Sequence, residues 1–496
     1  MSMLIHGGHI LNSPYTALER VDVLIAGDRI HAVGPTLEVP ADVQRLDASG
    51  HLLVPGLINA HTHAHNNLFK GMGDNWPLEE LLNHGPALNA GRTPEEQYLS
   101  AAIGAIEMLK NGCTAAYDLF MAVPAPTSES VEAVVRAYTD VGIRAVVAPA
   151  MADLVFYHTM PGLLDLLPPA LRSTVEAMQG APTTGLVQLA EEAVRRWHGA
   201  ASGRITVGVA PTIPGQCSET FFAECIRLAR EYGVGFHTHL AESKVQAIAS
   251  QQRWGTTLVG HLATVGALGP HFVGAHSVWL TEDDIQQLAD AGAAVAHNPA
   301  SNLKLGCGIA PVREMLEHGL TVGLGTDGSM SSDNQNLFEA MRFAALVGKV
   351  RFPHEPTRWI GAQAAWELAT RGSARVLGMA ADLGTIAPGY KADLVLLRAD
   401  SAFLRPLNHP LNALVYAETG ADVDTVLVDG RVVVHHGQVL TVHEQQLRAQ
   451  AQAAADRLRV ENQNAWTLAE QLSPYIAAAC RAAVATPYPV QRYAAS

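Results

Sequence analysis

The chain has 496 residues, a hydrophobic fraction of 48% and a formal net charge of -14. That length accommodates one large domain and a smaller one. The acidic balance disfavours a nucleic-acid surface, and no stretch is long and apolar enough to read as a membrane span.

The N-terminal stretch Met1-Ser2-Met3-Leu4-Ile5-His6 has no basic region followed by a long apolar one, so no signal peptide is expected. Residues 3–11 read as a short strand, and Asn12-Ser13-Pro14 as a turn. Residues 21–25 and 30–33 form a predicted hairpin around Gly27. Asp47-Ala48-Ser49-Gly50 is a second turn, residues 51–54 a further strand, and Pro55-Gly56 the entry to the next unit. Eight short apolar strands then alternate with helical patterns: residues 57–60, 114–117, 144–147, 205–209, 234–237, 272–275, 293–296 and 321–325. Helices are expected at residues 95–111, 218–232 and 281–291, the last opening on a capping box from Thr281 to Asp284. This alternation predicts an α/β protein built on a (β/α)8 TIM barrel. An open doubly wound sheet is the second choice, because it does not gather residues from strands one, five, six and eight around one centre.

Residues 121–200 hold one clear strand and several prolines, among them Pro124, Pro126, Pro168 and Pro169. Loops or extra helices at the barrel mouth are expected there. Residues 362–377 read as a long helix. Strand patterns return at 392–397, 423–428 and 432–435, the last two joined by Asp429-Gly430. The expected organisation is a small β-sandwich domain formed from both chain ends, residues 1–55 and 385–440, around a barrel at 56–384. A helical extension, 441–496, serves packing, a subunit contact or a cover over the mouth. The five cysteines (Cys113, Cys217, Cys225, Cys307 and Cys480) show no CxxC spacing and read as thiols of a reducing compartment. Cys217 and Cys307 are assigned to packing. A cytoplasmic location is expected.

The chemistry gathers at predicted C-terminal strand ends. His61 and His63 stand two residues apart, so in a strand both face one point. His237-Thr238-His239 closes strand five, with Glu242 three residues past His239. His276 ends strand six, and Asp327 follows strand eight. His61, His63, His239 and Asp327 can bind one divalent ion and leave a position open for water. Singly, His276 reads equally as a core histidine, Asp327 as a helix cap and Glu242 as a surface residue. Together they sit at four strand ends.

The stretches Pro55-Gly56-Leu57-Ile58-Asn59-Ala60-His61-Thr62-His63, His239-Leu240-Ala241-Glu242 and Ala275-His276 resemble the metal-dependent amidohydrolase superfamily. So do His297-Asn298-Pro299-Ala300-Ser301-Asn302-Leu303-Lys304-Leu305 and Gly325-Thr326-Asp327-Gly328. Within it the chain is most similar to the methylthioadenosine/S-adenosylhomocysteine deaminase and triazine hydrolase group, over roughly residues 3–440. The resemblance implies one metal, zinc or alternatively ferrous iron, on His61, His63, His239 and Asp327. It also implies catalytic roles for Glu242, His276 and Asp327. No lysine stands at the carboxylated position of two-metal relatives.

The implied reaction is hydrolytic displacement of a substituent on a nitrogen heterocycle of purine, pterin or s-triazine type. The metal activates a water, Asp327 takes its proton and Glu242 protonates a ring nitrogen. The alternatives are hydrolysis of an acyclic amidine, guanidine or urea-like C–N bond, and a non-catalytic scaffold. The chain departs from adenosine-type deaminases in two places. Thr212 stands where they have a histidine after Pro211, and Pro149-Ala150 lie where they have an arginine. A substrate smaller or less anionic than a nucleoside with a carboxylated thioether tail is expected. Trp76, His84, Thr212 and Asn302 are the candidate substrate-binding residues. His65, Asn66, Asn67, Asp333 and Asn334 are candidates for the adjoining wall. The expected partner is a small molecule, neither nucleic acid nor membrane. A homo-oligomer is expected, with a dimer favoured.

Overall fold

Short apolar strands followed by amphipathic helices bury one face of each helix against a sheet. In the computed structural model, which describes residues 2–11, 15 and 17–493, they do so eight times. The barrel strands are Leu57–His63, Cys113–Phe120, Arg144–Met151, Ile205–Val207, Phe236–Leu240, Phe272–His276, Ala294–His297 and Thr321–Leu324. Each of the eight predicted strands is present. The first four pair in parallel, as do the last four. A parallel bridge from Val209 to Phe236 joins the fourth to the fifth. Asp327–Gly328, just past the eighth, pairs with Thr62 and His63 of the first. Asp327 is thereby held directly beside the two histidines.

Inside the ring, Ala115, Tyr117 and Leu119 alternate along strand two, and Val146, Ala148 and Ala150 along strand three. The register between strands one and two shifts between Asn59 and Thr62, so one extra residue sits on strand one. A bulge of this kind re-aims side chains. Here Asn59 and Thr62 both reach Gln335 in the outer shell, while the rings of His61 and His63 meet within the barrel.

Residues 121–200 are more regular than the sequence indicates. They contain the long helices Ser128–Val141 and Thr183–Trp197 and three short ones, Phe156–Thr159, Leu163–Leu166 and Pro169–Glu176. The prolines do not interrupt them. Pro124 and Pro126 precede the Thr127 capping box, and Pro168 and Pro182 stand at N-terminal caps, where a missing N–H costs nothing. The helices expected at 95–111, 218–232 and 281–291 form as Pro94–Lys110, Glu219–Tyr232 and Glu282–Asp290, the last with the Thr281–Asp284 box in place. The predicted helix at 362–377 runs from Ala362 to Val376 through one wide turn at Leu368–Gly372.

Both chain ends enter one nine-stranded sheet. His51–Pro55 pairs antiparallel with Leu394–Arg398. Its early and late strands share one apolar cluster that includes Ile5, Val23, Ile30, Leu53, Leu394 and Leu427. Gln44–Asp47 is an additional strand that the sequence reading missed. The predicted turn at Asn12-Ser13-Pro14 lies outside the described residues. All five cysteines are unpaired. Among the described residues no helix is long and apolar enough to cross a membrane.

The extension forms two helices, Glu444–Glu461 and Gln463–Ala485. The second lies across loops at the C-terminal face of the barrel. Asn83 donates to the Ala469 carbonyl at 2.9 Å, and Lys244 to the Val484 carbonyl at 2.7 Å. Farther on, Tyr488 donates to Trp279 O at 3.2 Å, the buried Arg492 guanidinium donates to Leu280 O, and Ile309 N donates to Arg492 O at 2.8 Å. The extension is therefore a cover on the loops after strands one, five, six and seven.

Candidate metal and catalytic centre

Four of the predicted residues converge on one point. His61 Nε2 and His63 Nε2 lie 3.3 Å and 3.1 Å from Asp327 Oδ1, and His63 Nε2 lies 3.2 Å from His239 Nε2. The orientation of the rings is set from behind. His63 Nδ1 donates to Leu119 O at 2.6 Å, and His239 Nδ1 to Thr212 O at 2.5 Å. Both rings therefore carry their proton on Nδ1 and turn bare Nε2 lone pairs toward each other. Both nitrogens of the fully buried His61, and Asp327 Oδ1, have no hydrogen-bond partner. Lone pairs facing at this distance repel unless a cation lies between them. Two ligands each about 2.05 Å from a tetrahedral centre stand about 3.3 Å apart, which matches the three separations. The donor set fits a divalent ion of zinc type.

Proton affinities follow the same geometry. Burial pulls His61 down to about 3, and His239 falls well below the usual histidine range through burial and its neighbouring imidazoles. For His63, burial lowers the affinity, but the Asp327 carboxylate outweighs it and the net direction is up. Asp327 is buried, which alone would raise its pKa. The two histidine contacts reverse this and hold it well below the carboxylate range. For His61 and His239 these shifts favour the neutral imidazole, and for Asp327 the ionised carboxylate, the ligand forms a metal requires; an ion on Asp327 takes the place of the proton that the carboxylate draws to His63.

Glu242 and His276 stand beside this set. Glu242 is 2% exposed. Burial, then the charges of Asp327 and Glu79, push its carboxyl well above the usual range. Its Oε1 lies 3.5 Å from His276 Nδ1 and 3.9 Å from the Cys307 thiol. His276 Nδ1 also donates to Asn302 Oδ1 at 2.9 Å, which leaves Nε2 as an acceptor. Burial lowers the His276 pKa and keeps the ring neutral. Ala241, His276, Ser277 and Asp327 all adopt left-handed backbone angles, at φ 44°, 66°, 50° and 62°. Non-glycine residues seldom do so, and such strain gathers at functional sites.

The other predicted residues divide. Asn302 joins the site through His276. Thr212 contributes its carbonyl to His239. Trp76 stacks on His84 at 4.2 Å in a separate aromatic group with Trp466 of the extension. His65 Nδ1 accepts from Met121 N at 3.0 Å. Asn67 binds Ala64 O, Ser100 O and Ser329 Oγ, so its side chain ties loops together. Asp333 pairs with Lys304, and Asn334 with Glu339. The Asn66 side chain lies beside Gly328.

Several contributors were not read from sequence. Ser331 Oγ donates to Asp327 Oδ2 at 2.5 Å. Asn59, Thr62, Thr326 and Gln335 form a buried network ending on Asp327 O. His237 lies against His61 and Tyr117 with both nitrogens unpartnered. Cys307, assigned to packing, does pack against Leu78 and Leu305, yet its thiol also faces Glu242. The His-x-His spacing was a usable signal for His237, since it matches that of His61 and His63.

Comparison with known proteins gives a consistent picture. The model described as "Amidohydrolase family" matches residues 52–433. The 5'-deoxyadenosine deaminase of Methanothermobacter thermautotrophicus is 35% identical over 459 residues, 92% of this chain and 99% of that protein. The 5-methylthioadenosine/S-adenosylhomocysteine deaminase of Desulforudis audaxviator is 36% identical over 466 residues, again 92% and 99%. The crystal structure of atrazine chlorohydrolase from Arthrobacter aurescens complexed with zinc superposes with a TM-score of 0.82 at 28% identity, covering 91% of this chain and 100% of that one.

Proposed function

The chain belongs to the amidohydrolase family, and from that premise we propose that it displaces a substituent hydrolytically from a nitrogen heterocycle. It is a hydrolase acting on carbon–nitrogen bonds other than peptide bonds. The observation that carries the heterocycle reading is Glu242, a buried carboxyl whose proton affinity is raised by burial and by the charges of Asp327 and Glu79, beside the lone-pair cluster and not within it.

His61, His63, His239 and Asp327 hold one zinc ion in this reading, which supplies Lewis acidity and a lowered water pKa when bound. Asp327 accepts a proton from the attacking water. Glu242 donates its proton to the ring nitrogen next to the attacked carbon, which offsets the loss of aromaticity, and recovers one from the added hydroxyl as the carbonyl forms, while the proton taken up by Asp327 leaves with the displaced group. His276, fixed by Asn302, accepts from the water and orients it. Thr212, Asn302, Trp76 and His84 line the substrate's approach. We assign residues 56–384 to the catalytic barrel, 1–55 and 385–440 to the β domain and 441–496 to the extension. A homodimer in the cytoplasm is the proposed working form.

Purine and s-triazine substrates are supported by the names of the relatives, a deaminase of 5'-deoxyadenosine and an atrazine chlorohydrolase. Thr212 in place of a histidine, and the absence of an arginine at Pro149-Ala150, favour the smaller and less anionic members. The test is a panel of aminopurines, adenosine analogues, pterins, triazines and acyclic amidines, with ammonia release and ring absorbance followed together. Turnover confined to acyclic amidines or ureas would overturn the heterocycle assignment.

A further inference from the structure

Away from the barrel, the late strands of the β-sheet gather a second set of metal-ligating side chains. Asp424 lies on the strand Val423–Val428, and His435 ends the strand Arg431–His435. His436 follows in the two-residue turn to Gln438–Val439. One ligand atom from each of Asp424, His435 and His436 lies within 4.8 Å of the others. We propose that these three residues bind one divalent transition-metal ion of zinc, nickel or copper type, separate from the ion in the barrel.

Three observations carry the assignment. The first concerns proton positions. Thr425 Oγ1 donates its only hydrogen to Asp424 Oδ2 at 2.8 Å, so toward His435 Nδ1, 3.0 Å away, it acts as acceptor. His435 is thereby protonated on Nδ1 and its Nε2 lone pair is free, the arrangement in which outer-shell partners prepare metal-binding histidines. The second is spacing. His436 Nδ1 stands 3.1 Å from Asp424 Oδ1, close to the roughly 3.3 Å separation of two ligands on a tetrahedral ion. An ion replaces the shared proton with little movement, and the His436 side chain, 74% exposed, turns freely to meet it. The third is the turn. His436 and Gly437 have φ of 51° and 69°, a turn whose first position favours asparagine, aspartate or glycine. A histidine accepts that strain here with its ring against a buried carboxylate and 3.9 Å from the His435 ring.

The chemistry selects the ion. Two imidazoles and one carboxylate suit zinc, nickel or copper, whereas magnesium and calcium require oxygen-rich shells. Arg398 Nη1 is the resident cation, 3.8 Å from Asp424 Oδ1, and its half-exposed side chain can withdraw into solvent. His51, on the strand from the chain's beginning, brings Nε2 to 3.9 Å from Asp424 Oδ2. An ion here clips the strand Val423–Val428 to the end of Arg431–His435 and stabilises the pair by mass action.

The test measures total zinc per chain after equilibration with excess zinc sulfate and gel filtration, in the parent and in His436→Asn (H436N). Asparagine suits the turn, so the variant folds. The parent is expected to hold one equivalent more than H436N, and added zinc to raise the parent's Tm but not the variant's, with turnover equal in both. Thr425→Val (T425V) is expected to keep the equivalent with affinity weakened about 10- to 100-fold. Equal zinc content and equal Tm response in parent and H436N would overturn the site. The barrel metal is read in H436N itself, so its fate is distinguished from that of the second ion.

Discussion

Glu242→Gln (E242Q) separates proton transfer from metal holding. The amide matches the carboxyl in size, and burial with the charges of Asp327 and Glu79 raises the proton affinity of Glu242 toward the uncharged form that the amide mimics. Its side-chain neighbours are His276 Nδ1 at 3.5 Å and the Cys307 thiol at 3.9 Å, and neither contact depends on a negative charge. Stability should therefore change by less than about 1 kcal/mol, the scale of one neutral hydrogen bond. Metal content should be unchanged. Turnover should fall by roughly 100-fold or more, the contribution of a positioned acid, which corresponds to at least about 2.7 kcal/mol in the barrier. In the parent, activity that needs the acid form is lost as pH rises through the raised pKa of Glu242, and that limb should vanish in E242Q. The assay is kcat, pH profile, metal content and Tm on one preparation. Near-parental turnover would refute the shuttle role. Loss of metal would make Glu242 a ligand and require the coordination scheme to be redrawn.

Other outcomes follow from the same geometry. His61→Ala (H61A) and Asp327→Ala (D327A) should each lose both the barrel metal and activity; elemental analysis of protein purified without added metal, with parallel turnover assays, checks this. Asp118, buried and accepting from Ala64 N and Tyr138 Oη, has its pKa raised by desolvation to about 6. Its unfolded value is lower, so the folded state binds the extra proton and stability falls as pH rises from about 4 to about 6. Relative to Asp118→Asn (D118N), the parent should lose about 3 kcal/mol across that window, measured by urea unfolding at each pH. Arg492→Ala (R492A) removes a buried guanidinium that donates to Leu280 O and should cost about 1.5–3 kcal/mol, read from the same denaturant curves.

The parts of this site that were legible in sequence are those fixed by local rules. His61 and His63 share a face because a strand repeats every two residues, and Glu242, His276 and Asp327 follow strand ends, where barrel chemistry is placed. The register shift between Asn59 and Thr62 spans His61, yet His61 and His63 still bring their Nε2 atoms to 3.3 Å and 3.1 Å from Asp327 Oδ1. What orients those side chains comes from long range. His63 takes its tautomer from the carbonyl of Leu119, 56 residues away, and Asn59 reaches Gln335 across 276. Backbone carbonyls carry no sequence signature, so residue types alone could not reveal that two imidazoles face each other with bare nitrogens.

The same distinction explains the extension. Its helices were predictable from composition, but its docking was not, because the contacts run through backbone carbonyls between the extension and loops far back in the chain: Asn83 donates to Ala469 O, and Arg492 donates to Leu280 O. Those loops follow the strands that carry His63, His239 and His276. Tyr488, Arg492 and Ile309 connect the end of the described chain to the backbone on either side of Trp279 and Cys307, whose carbonyl accepts the Trp279 indole N–H at 2.8 Å. Cys307 in turn faces Glu242. A substitution at Arg492 therefore acts on the acid's surroundings through packing, and its effect on KM should exceed that of an equally destabilising change on the outer helices of the barrel.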